Sequence, residues 1–216
     1  MYLCRFSYLM FIDVHTHRVH SADIPIIYNI RINDDAVALP HDQHIYFSAG
    51  IHPWDAGKVR SVWFDNMTIL LNYKQVIAVG ECGLDKNTSV SFEKQLEIFE
   101  KHIHLSEINR LPLLIHCVGF SHEIIRLHQS VKPEQAWIIH GFRGKPDLAL
   151  QFLKEGIYLS FGEKFNIESV KVTPIDRILI ETDESEIPIE DLYQRIAEIK
   201  GCHVKDLKAA HDVFGI

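Results

Sequence analysis

The sequence contains few cysteines, and none of them stands close to another. They are scattered along the chain, at Cys4, Cys82, Cys117 and Cys202. Because no CxxC pair occurs, the sequence predicts neither a zinc knuckle nor a dithiol redox site. We interpret the cysteines as reduced, buried thiols, which is their usual state in a cytosolic protein.

The sequence also has no surplus of positive charge. It carries 22 lysines and arginines against 29 aspartates and glutamates, a formal net charge of −7. Stable binding of duplex nucleic acid is therefore not expected, because such binding requires a basic surface. A nucleic-acid substrate remains compatible with this charge, since bound divalent cations supply local positive charge.

Linkers, repeats and long apolar runs are absent from the sequence as well. No apolar run reaches the length that a bilayer requires, and no stretch has the glycine, serine or proline content of a linker. We therefore expect one domain over residues 1–216, without a membrane partner and located in the cytoplasm. Residues 1–9 lack the features of a secretory signal, and we interpret them as a dispensable extension or a misassigned start.

Short apolar, β-branched runs alternate with amphipathic stretches along the chain. The apolar runs predict eight strands, at 11–14, 25–32, 45–50, 75–80, 112–117, 136–140, 157–161 and 176–182. Their lack of strict alternation indicates strands that are buried on both faces of a parallel sheet. The amphipathic stretches predict helices over 89–109, 121–130, 145–155, 188–200 and 203–213.

Eight strands with intervening helices predict an α/β protein with a TIM-type (β/α)8 barrel. The chain is shorter than the roughly 250 residues that are typical of this fold. The shortage lies early, because the two connections between the first three strands show no convincing helical pattern. We expect one or two early outer helices to be missing or shortened, and an incomplete or distorted barrel is the structural alternative.

Histidine is unusually frequent, with 14 residues, and a subset of them shares one placement. Four histidines and two carboxylates lie at or just after the ends of predicted strands: His15, His17, Glu81, His116, His140 and Asp183. Because the carboxyl ends of barrel strands face a common mouth, we expect these six side chains to converge. Imidazole and carboxylate ligands suit Zn²⁺, Mn²⁺ or another first-row divalent ion.

Chemistry favours particular roles for some of these residues. His15 and His17 are two positions apart, so both imidazoles point the same way in an extended segment. Glu81 ends a buried strand and must be paired or bind a metal, and its two oxygens could bridge two cations. Asp183 could ligate a metal and accept a proton from water. Asp13 and Asp85 are expected to support ligands or to form turns.

Six segments resemble, in order, the motifs of TatD-family metal-dependent hydrolases of the amidohydrolase-like superfamily. They are FIDVHTH, SAGIHPW, VIAVGECGLD, LPLLIH, IIHGFRG and ILIETD, across residues 11–183. The resemblance implies a deoxyribonuclease that cleaves phosphodiester bonds with two divalent ions, Zn, Mn or Mg. It also implies that His15, His17 and Asp183 hold one metal, that His116 and His140 hold the other, and that Glu81 bridges them. Asp183 and Glu81 would be the catalytic carboxylates.

The chain departs from the family pattern where a substrate would bind. The arginine that the family commonly places after the fifth strand is Val118, the usual tyrosine after GLD is Lys86, and a usual serine is Arg143. We expect Lys86 or Arg143 to contact phosphate, although either also reads as a solvated rim charge. His52 and Trp54 follow the third strand and are candidates to contact a phosphate or to stack on a base.

Two rival functions stay open at this stage. One is a hydrolase of a small phosphoester, a lactone or an amide on the same scaffold, and Val118 favours it by removing an expected phosphate contact. The other is a catalytically weak binding module with a vestigial metal site. The presence of all six candidate ligands argues against the vestigial site.

Overall fold

A computed structural model describes residues 11–19, 23–33, 39, 42 and 44–216. Its eight strands form one sheet in chain order, and each pair with a described register is parallel. Thr16 in the first strand also forms a parallel bridge with Asp183, which follows the last strand. The strands are β1 (Asp13–Thr16), β2 (Ile26–Arg31), β3 (Ile45–Gly50), β4 (Val76–Asp85), β5 (Leu113–Val118), β6 (Trp137–Ile139), β7 (Tyr158–Phe161) and β8 (Ile178–Ile180).

Helices follow most strands from β3 onward. They are α1 (Ser61–Leu70), α2 (Phe92–Asn109), α3 (Ser121–Val131), α4 (Pro146–Lys154), α5 (Ile167–Val172), α6 (Ile189–Lys200) and α7 (Ala209–Phe214). Short 3-10 helices cover Pro53–Lys58, Ile175–Arg177 and Val204–Asp206. Among the described residues, none of the helices combines the length and apolarity that a membrane-spanning helix requires.

Local chemistry explains the longest helix. The Ser91 hydroxyl accepts a hydrogen bond from the Lys94 backbone amide at 3.3 Å and so caps the start of α2. Arg110 adopts a left-handed conformation, with φ of 56°, and ends the helix. The buried face of α2 includes Ile98, Phe99 and Ile103.

The fold class predicted from the sequence is confirmed, with local differences. All eight strands are present, and the described parts of the first two connections, 17–19 with 23–25 and 32–33 with 39, 42 and 44, contain no helix. The other residues of these connections lie outside the described part, as do residues 1–9. Helices α1 and α5 were not predicted. Helix α5 is only six residues long, and no side chain caps the start of α1.

Strand β4 is longer than its apolar run. The sequence predicts that the strand ends at residue 80, whereas β4 continues to Asp85. The extension exists because residues 82–85 pair in register with β5, with Gly83 opposite His116. Glu81 therefore lies within a strand rather than after one.

The described residues fall into two compact units. The first contains those within 1–28, 41–46 and 140–216, and the second contains those within 29–40 and 47–139. The first unit contains β1, β7 and β8. The second unit contains most of β3, together with β4, β5 and β6. Each unit contributes its own set of candidate metal ligands.

Candidate metal centre

In the first unit, His15, His17 and Asp183 come together. One possible ligand atom from each lies within 4.8 Å of those from the other two. Oδ1 of Asp183 is 3.6 Å from Nε2 of His17 and 3.9 Å from Nε2 of His15. The two imidazole rings stand 5.0 Å apart between centroids and nearly perpendicular. Two nitrogens and one oxygen on neighbouring segments are a donor set that suits a divalent cation.

The backbone fixes Asp183 against β1. Its amide donates to the carbonyl of His15 at 2.9 Å, and its carbonyl accepts from the amide of His17 at 3.2 Å. Asp183 has φ of 55°, a left-handed conformation that is uncommon for a residue other than glycine. Such conformations persist where surrounding contacts determine them, and they concentrate at functional sites.

A buried network beneath this set involves Asp13 and Thr182. The Asp13 carboxylate accepts hydrogen bonds from the Thr182 amide at 3.0 Å and from the Thr182 hydroxyl at 2.5 Å. Burial raises the pKa of Asp13 to about 7, although the bonds from Thr182 oppose that effect. Asp13 therefore supports the segment that carries the histidines, one of the two roles that its position in the sequence left open.

His140, also in the first unit, directly follows β6 in the chain and contacts a residue that was not predicted from the sequence. Oε1 of Glu181 accepts from the Gly141 amide at 2.6 Å and lies 3.4 Å from Nδ1 of His140. The ring of His140 is 4.4 Å from that of His15 between centroids. A carboxylate that orients an imidazole is a common support for a metal ligand.

The Glu181 carboxylate is fully buried yet held in its charged form. Burial by itself would raise its pKa, but hydrogen bonding from His140 and the nearby imidazoles of His140 and His15 outweigh it, so the pKa is lowered. Its position at the end of a buried apolar run is the same signal that identified Asp183. Of the two acids in the ETD triplet, only Asp183 was predicted from the sequence, although Glu181 has the same position at the end of the run.

In the second unit, His52, Glu81 and His116 form another set. Oε1 of Glu81 lies 2.9 Å from Nδ1 of His116 and 3.2 Å from Nε2 of His52. Possible ligand atoms of all three lie within 4.8 Å of one another. His52 is buried and its pKa is lowered, chiefly by that burial, which favours a neutral imidazole able to ligate a metal.

Asn29, a second residue that the sequence analysis missed, fixes Glu81. Its side-chain amide donates to Oε2 of Glu81 at 3.3 Å, and its carbonyl oxygen accepts from the Glu81 amide at 2.9 Å. The Ser48 hydroxyl donates to the same Asn29 oxygen at 3.2 Å. No sequence pattern marked Asn29, because a lone asparagine in an apolar strand has no characteristic spacing.

Asp85 anchors His116 from the side away from Glu81. Its Oδ2 lies 3.0 Å from Nε2 of His116 and accepts from the indole N–H of Trp54 at 2.7 Å. Burial would raise the pKa of Asp85, but bonds from Asn87, Trp54 and His116 lower it. His116 thus keeps Nδ1 toward Glu81 while its other nitrogen is held, the usual arrangement of a metal-ligating histidine.

The residues predicted to contact substrate lie in different surroundings. Trp54 is 51% exposed, and the guanidinium of Arg31 lies 5.9 Å from its ring centroid. Lys86 is exposed, and its aliphatic stem runs against Gly119, where an added Cβ would meet it at 2.2 Å. Arg143 is exposed and borders a cavity with Asp183. His52 was predicted to contact substrate, and the structure places it beside the candidate ligands Glu81 and His116. Its contact with substrate stays a prediction.

The donor chemistry of both sets fits divalent cations. Each set combines imidazole nitrogen with carboxylate oxygen. His15, His52 and Glu81 are buried, where an unpaired charge would be costly. Within each unit the sequence-predicted ligands lie beside one another: His15, His17, His140 and Asp183 in the first, and Glu81 with His116 in the second. The convergence of all six stays a prediction.

The architecture defines the class as a (β/α)8 barrel with histidine–carboxylate sets at its strand ends. Two solved structures share the fold. One is YJJV, a TatD homologue from Escherichia coli K12, with a TM-score of 0.81 and 19% identity, covering 97% of this chain and 99% of that one. The other is a TatD-family hydrolase from Entamoeba histolytica, with a TM-score of 0.75 and 17% identity, covering 95% of this chain and 98% of that one. The family model described as TatD related DNase matches residues 26–212, and the chain belongs to this family.

Curated relatives agree with this family. The chain is 32% identical over 148 residues to an uncharacterised metal-dependent hydrolase, YabD, of Bacillus subtilis, covering 64% of this chain and 58% of that protein. It is 29% identical over 160 residues to the 3'-5' ssDNA/RNA exonuclease TatD of Erwinia tasmaniensis, covering 68% and 61%. The chain thus matches about three fifths of the length of these relatives.

Proposed function

We propose that this protein is a divalent-metal-dependent hydrolase that cleaves phosphodiester bonds in DNA. The observation that carries the proposal is the close set formed by His15, His17 and Asp183, whose ligand atoms lie within 4.8 Å of one another. Membership of the TatD related DNase family supports the same conclusion. A nuclease relative, named for single-stranded DNA and RNA, makes a single strand the substrate to test first.

We assign two divalent cations to these residues, as the family resemblance implies. His15, His17 and Asp183 would hold one, His116 and His140 would hold the other, and Glu81 would be a ligand as well. The barrel fold supports this assignment, because the carboxyl ends of its strands deliver side chains to one mouth. Asp85 and Glu181 keep His116 and His140 oriented, and Asn29 keeps Glu81 oriented. Zinc, manganese and magnesium are the candidate metals.

The chain's own residues divide the remaining work. Divalent cations supply Lewis-acid polarisation of the phosphoryl oxygen and lower the pKa of water toward neutrality. Asp183, whose carboxylate lies beside His15 and His17, would accept the proton that the attacking water loses. Lys86 and Arg143 offer positive charge to phosphate, and the exposed ring of Trp54 offers a face to a base.

Hydrolysis of a small ester or amide is the second candidate. The feature that favours it is Val118, the last residue of β5, which provides no charge to grip a phosphate. The two functions differ in whether a polymeric substrate improves turnover. Comparison of short oligonucleotides with small phosphodiesters, lactones and amides therefore separates them.

The experiment begins with metal analysis of purified protein, followed by chelation and return of Mg²⁺, Mn²⁺ or Zn²⁺. We expect end-labelled single-stranded DNA to be cleaved only after metal is returned, and duplex DNA to be cleaved more slowly. Asp183→Asn should bind metal yet lose most turnover, whereas His104→Ala, at an exposed position of α2, should match the parent. Absence of bound metal together with no metal-stimulated turnover of any substrate would refute the proposal and favour a vestigial site.

A further inference from the structure

A small polar cavity opens beside Asp183 in the first unit. It measures about 270 Å³ and is bordered by the segments that follow β6, β7 and β8, at residues 141, 143, 162–164 and 181–185. This volume lies just below the range of roughly 300–1,000 Å³ that is usual for ligand pockets. The cavity therefore suits one charged group with its immediate attachments rather than a length of strand.

The lining of the cavity does not favour a base. No aromatic or aliphatic side chain occurs among the described residues that border it. Stacking on a base requires such a surface. The cavity instead presents hydroxyl groups, the backbone at Gly141 and Gly162, and six charged side chains, which are Arg143, Lys164, Glu163, Glu181, Asp183 and Glu184. Of the four carboxylates, Glu181 accepts from the Gly141 amide and Asp183 is a proposed metal ligand.

Two cations on different loops face this cavity. Arg143 follows β6 and Lys164 follows β7, and both are exposed. Neither has a salt bridge to any residue in the part of the chain that the structure describes. Of the two exposed carboxylates at the rim, Glu163 accepts a hydrogen bond from Ser185 at 2.8 Å, and Glu184 is the other. Two cations thus border one cavity in a chain whose formal net charge is −7.

We infer that this cavity binds the phosphate next to the scissile phosphodiester bond, with Arg143 and Lys164 as its ligands. The inference rests on the proposed function, since Asp183 on the cavity wall is the proposed metal ligand and base. Arginine matches phosphate oxygens with two parallel donors, and lysine adds a mobile point charge. The arginine stands where the family usually has serine, so this contact would distinguish the chain from its relatives.

The test combines substitutions with a neutral phosphate replacement. Arg143→Ala, Lys164→Ala and the double variant are compared with Lys145→Ala, an exposed lysine near Arg143 that does not border the cavity. A short single-stranded oligonucleotide carries one uncharged methylphosphonate, moved through each linkage in turn. Both turnover and equilibrium binding by fluorescence anisotropy are measured.

We expect each single substitution to weaken oligonucleotide binding and raise KM by roughly ten- to a hundredfold, as loss of one charged hydrogen bond predicts. Lys145→Ala should leave both unchanged. In the parent protein, methylphosphonate beside the cleaved bond should impose a similar penalty, and in the double variant that penalty should disappear.

A methylphosphonate penalty that persists in the double variant would overturn the inference, as would equal binding of the unmodified oligonucleotide by parent and double variant. A different result would contradict the proposed function: the parent protein would show no metal-dependent turnover of either the oligonucleotide or bis(4-nitrophenyl) phosphate. Because anisotropy measures binding without turnover, the two failures are distinguishable.

Discussion

Thr182 donates two hydrogen bonds to Asp13, one from its backbone amide and one from its hydroxyl. The two residues are 169 positions apart in the chain. Asp13 stands two residues before His15, and Thr182 directly precedes Asp183. This contact therefore fixes the two segments that supply the first candidate ligand set.

Removal of the Thr182 hydroxyl should loosen that set. Thr182→Val keeps the side-chain shape and the backbone bond but leaves a buried Asp13 oxygen without this donor. We expect the free energy of unfolding to fall by about 1–3 kcal/mol and metal affinity to fall roughly tenfold. Thermal or urea unfolding and calorimetric metal titration measure the two effects. Thr68→Val is the control, because Thr68 is exposed and its hydroxyl donates to the Phe64 carbonyl of the same helix. Equal effects of both substitutions would contradict the prediction.

A substitution of Glu181 that keeps the side-chain shape should lower metal affinity more than it lowers the stability of the fold. Glu181→Gln preserves an oxygen for the Gly141 amide but loses the negative charge beside His140. We expect metal affinity to fall by about 10–100-fold, the usual cost of losing a residue that orients a ligand. Glu181→Ala should also lower thermal stability, because the Gly141 amide loses its acceptor. Metal affinity equal to the parent in Glu181→Gln would rule out the positioning role.

Trp54 should contribute to oligonucleotide binding through its exposed ring. Stacking of a base on an aromatic ring is worth about 1–3 kcal/mol, so Trp54→Ala should weaken binding by roughly five- to a hundredfold. Trp54→Phe keeps a ring but loses the bond to Asp85, and should fall between Trp54→Ala and the parent. Tyr73, 53% exposed against 51% for Trp54, gives a matched control. If Tyr73→Ala and Trp54→Ala bind single-stranded DNA alike, Trp54 does not stack on substrate.

His102 should make stability depend on pH. The histidine is fully buried in α2, accepts from the Ile51 amide at 2.9 Å, and bonds the Ile98 carbonyl through its other nitrogen. Burial lowers the pKa of His102 from 6.5 to about 4. Between these values the unfolded chain binds the proton and the folded protein does not. Stability from this residue is therefore complete above pH 6.5 and is lost as the pH falls toward 4.

The measurement is the difference in unfolding free energy between the parent and His102→Gln across this pH range. Asp13, whose pKa is raised to about 7, gives an opposite slope, but it is present in both proteins and cancels in the difference. We expect the parent's advantage to shrink by at most about 1.4 kcal/mol per pH unit on acidification. His104→Gln, at an exposed position of the same helix, should show no such trend. A difference that stays constant with pH would contradict a neutral buried His102.

Much of the fold could be predicted because its signals are local. Runs such as PLLIH and AWIIH carry the β-branched and apolar side chains of doubly buried strands, and α2 carries its stripe and cap within its own residues. The helix α1 escaped prediction because its start has no side-chain cap, and α5 because six residues form too short a period to recognise. The end of β4 was wrong for another reason, since only pairing with β5 extends it past Glu81.

The candidate site divides in the same way. The sequence by itself determined which donor side chains stand at strand ends, because strand periodicity and residue chemistry are properties of a few consecutive residues. Only the tertiary structure decided what holds those donors: Thr182 for Asp13, Asn29 for Glu81, and Asp85 shared by His116 and Trp54. Most of these partners are tens of residues apart or more, and no local pattern encodes a contact that forms only when distant strands pair.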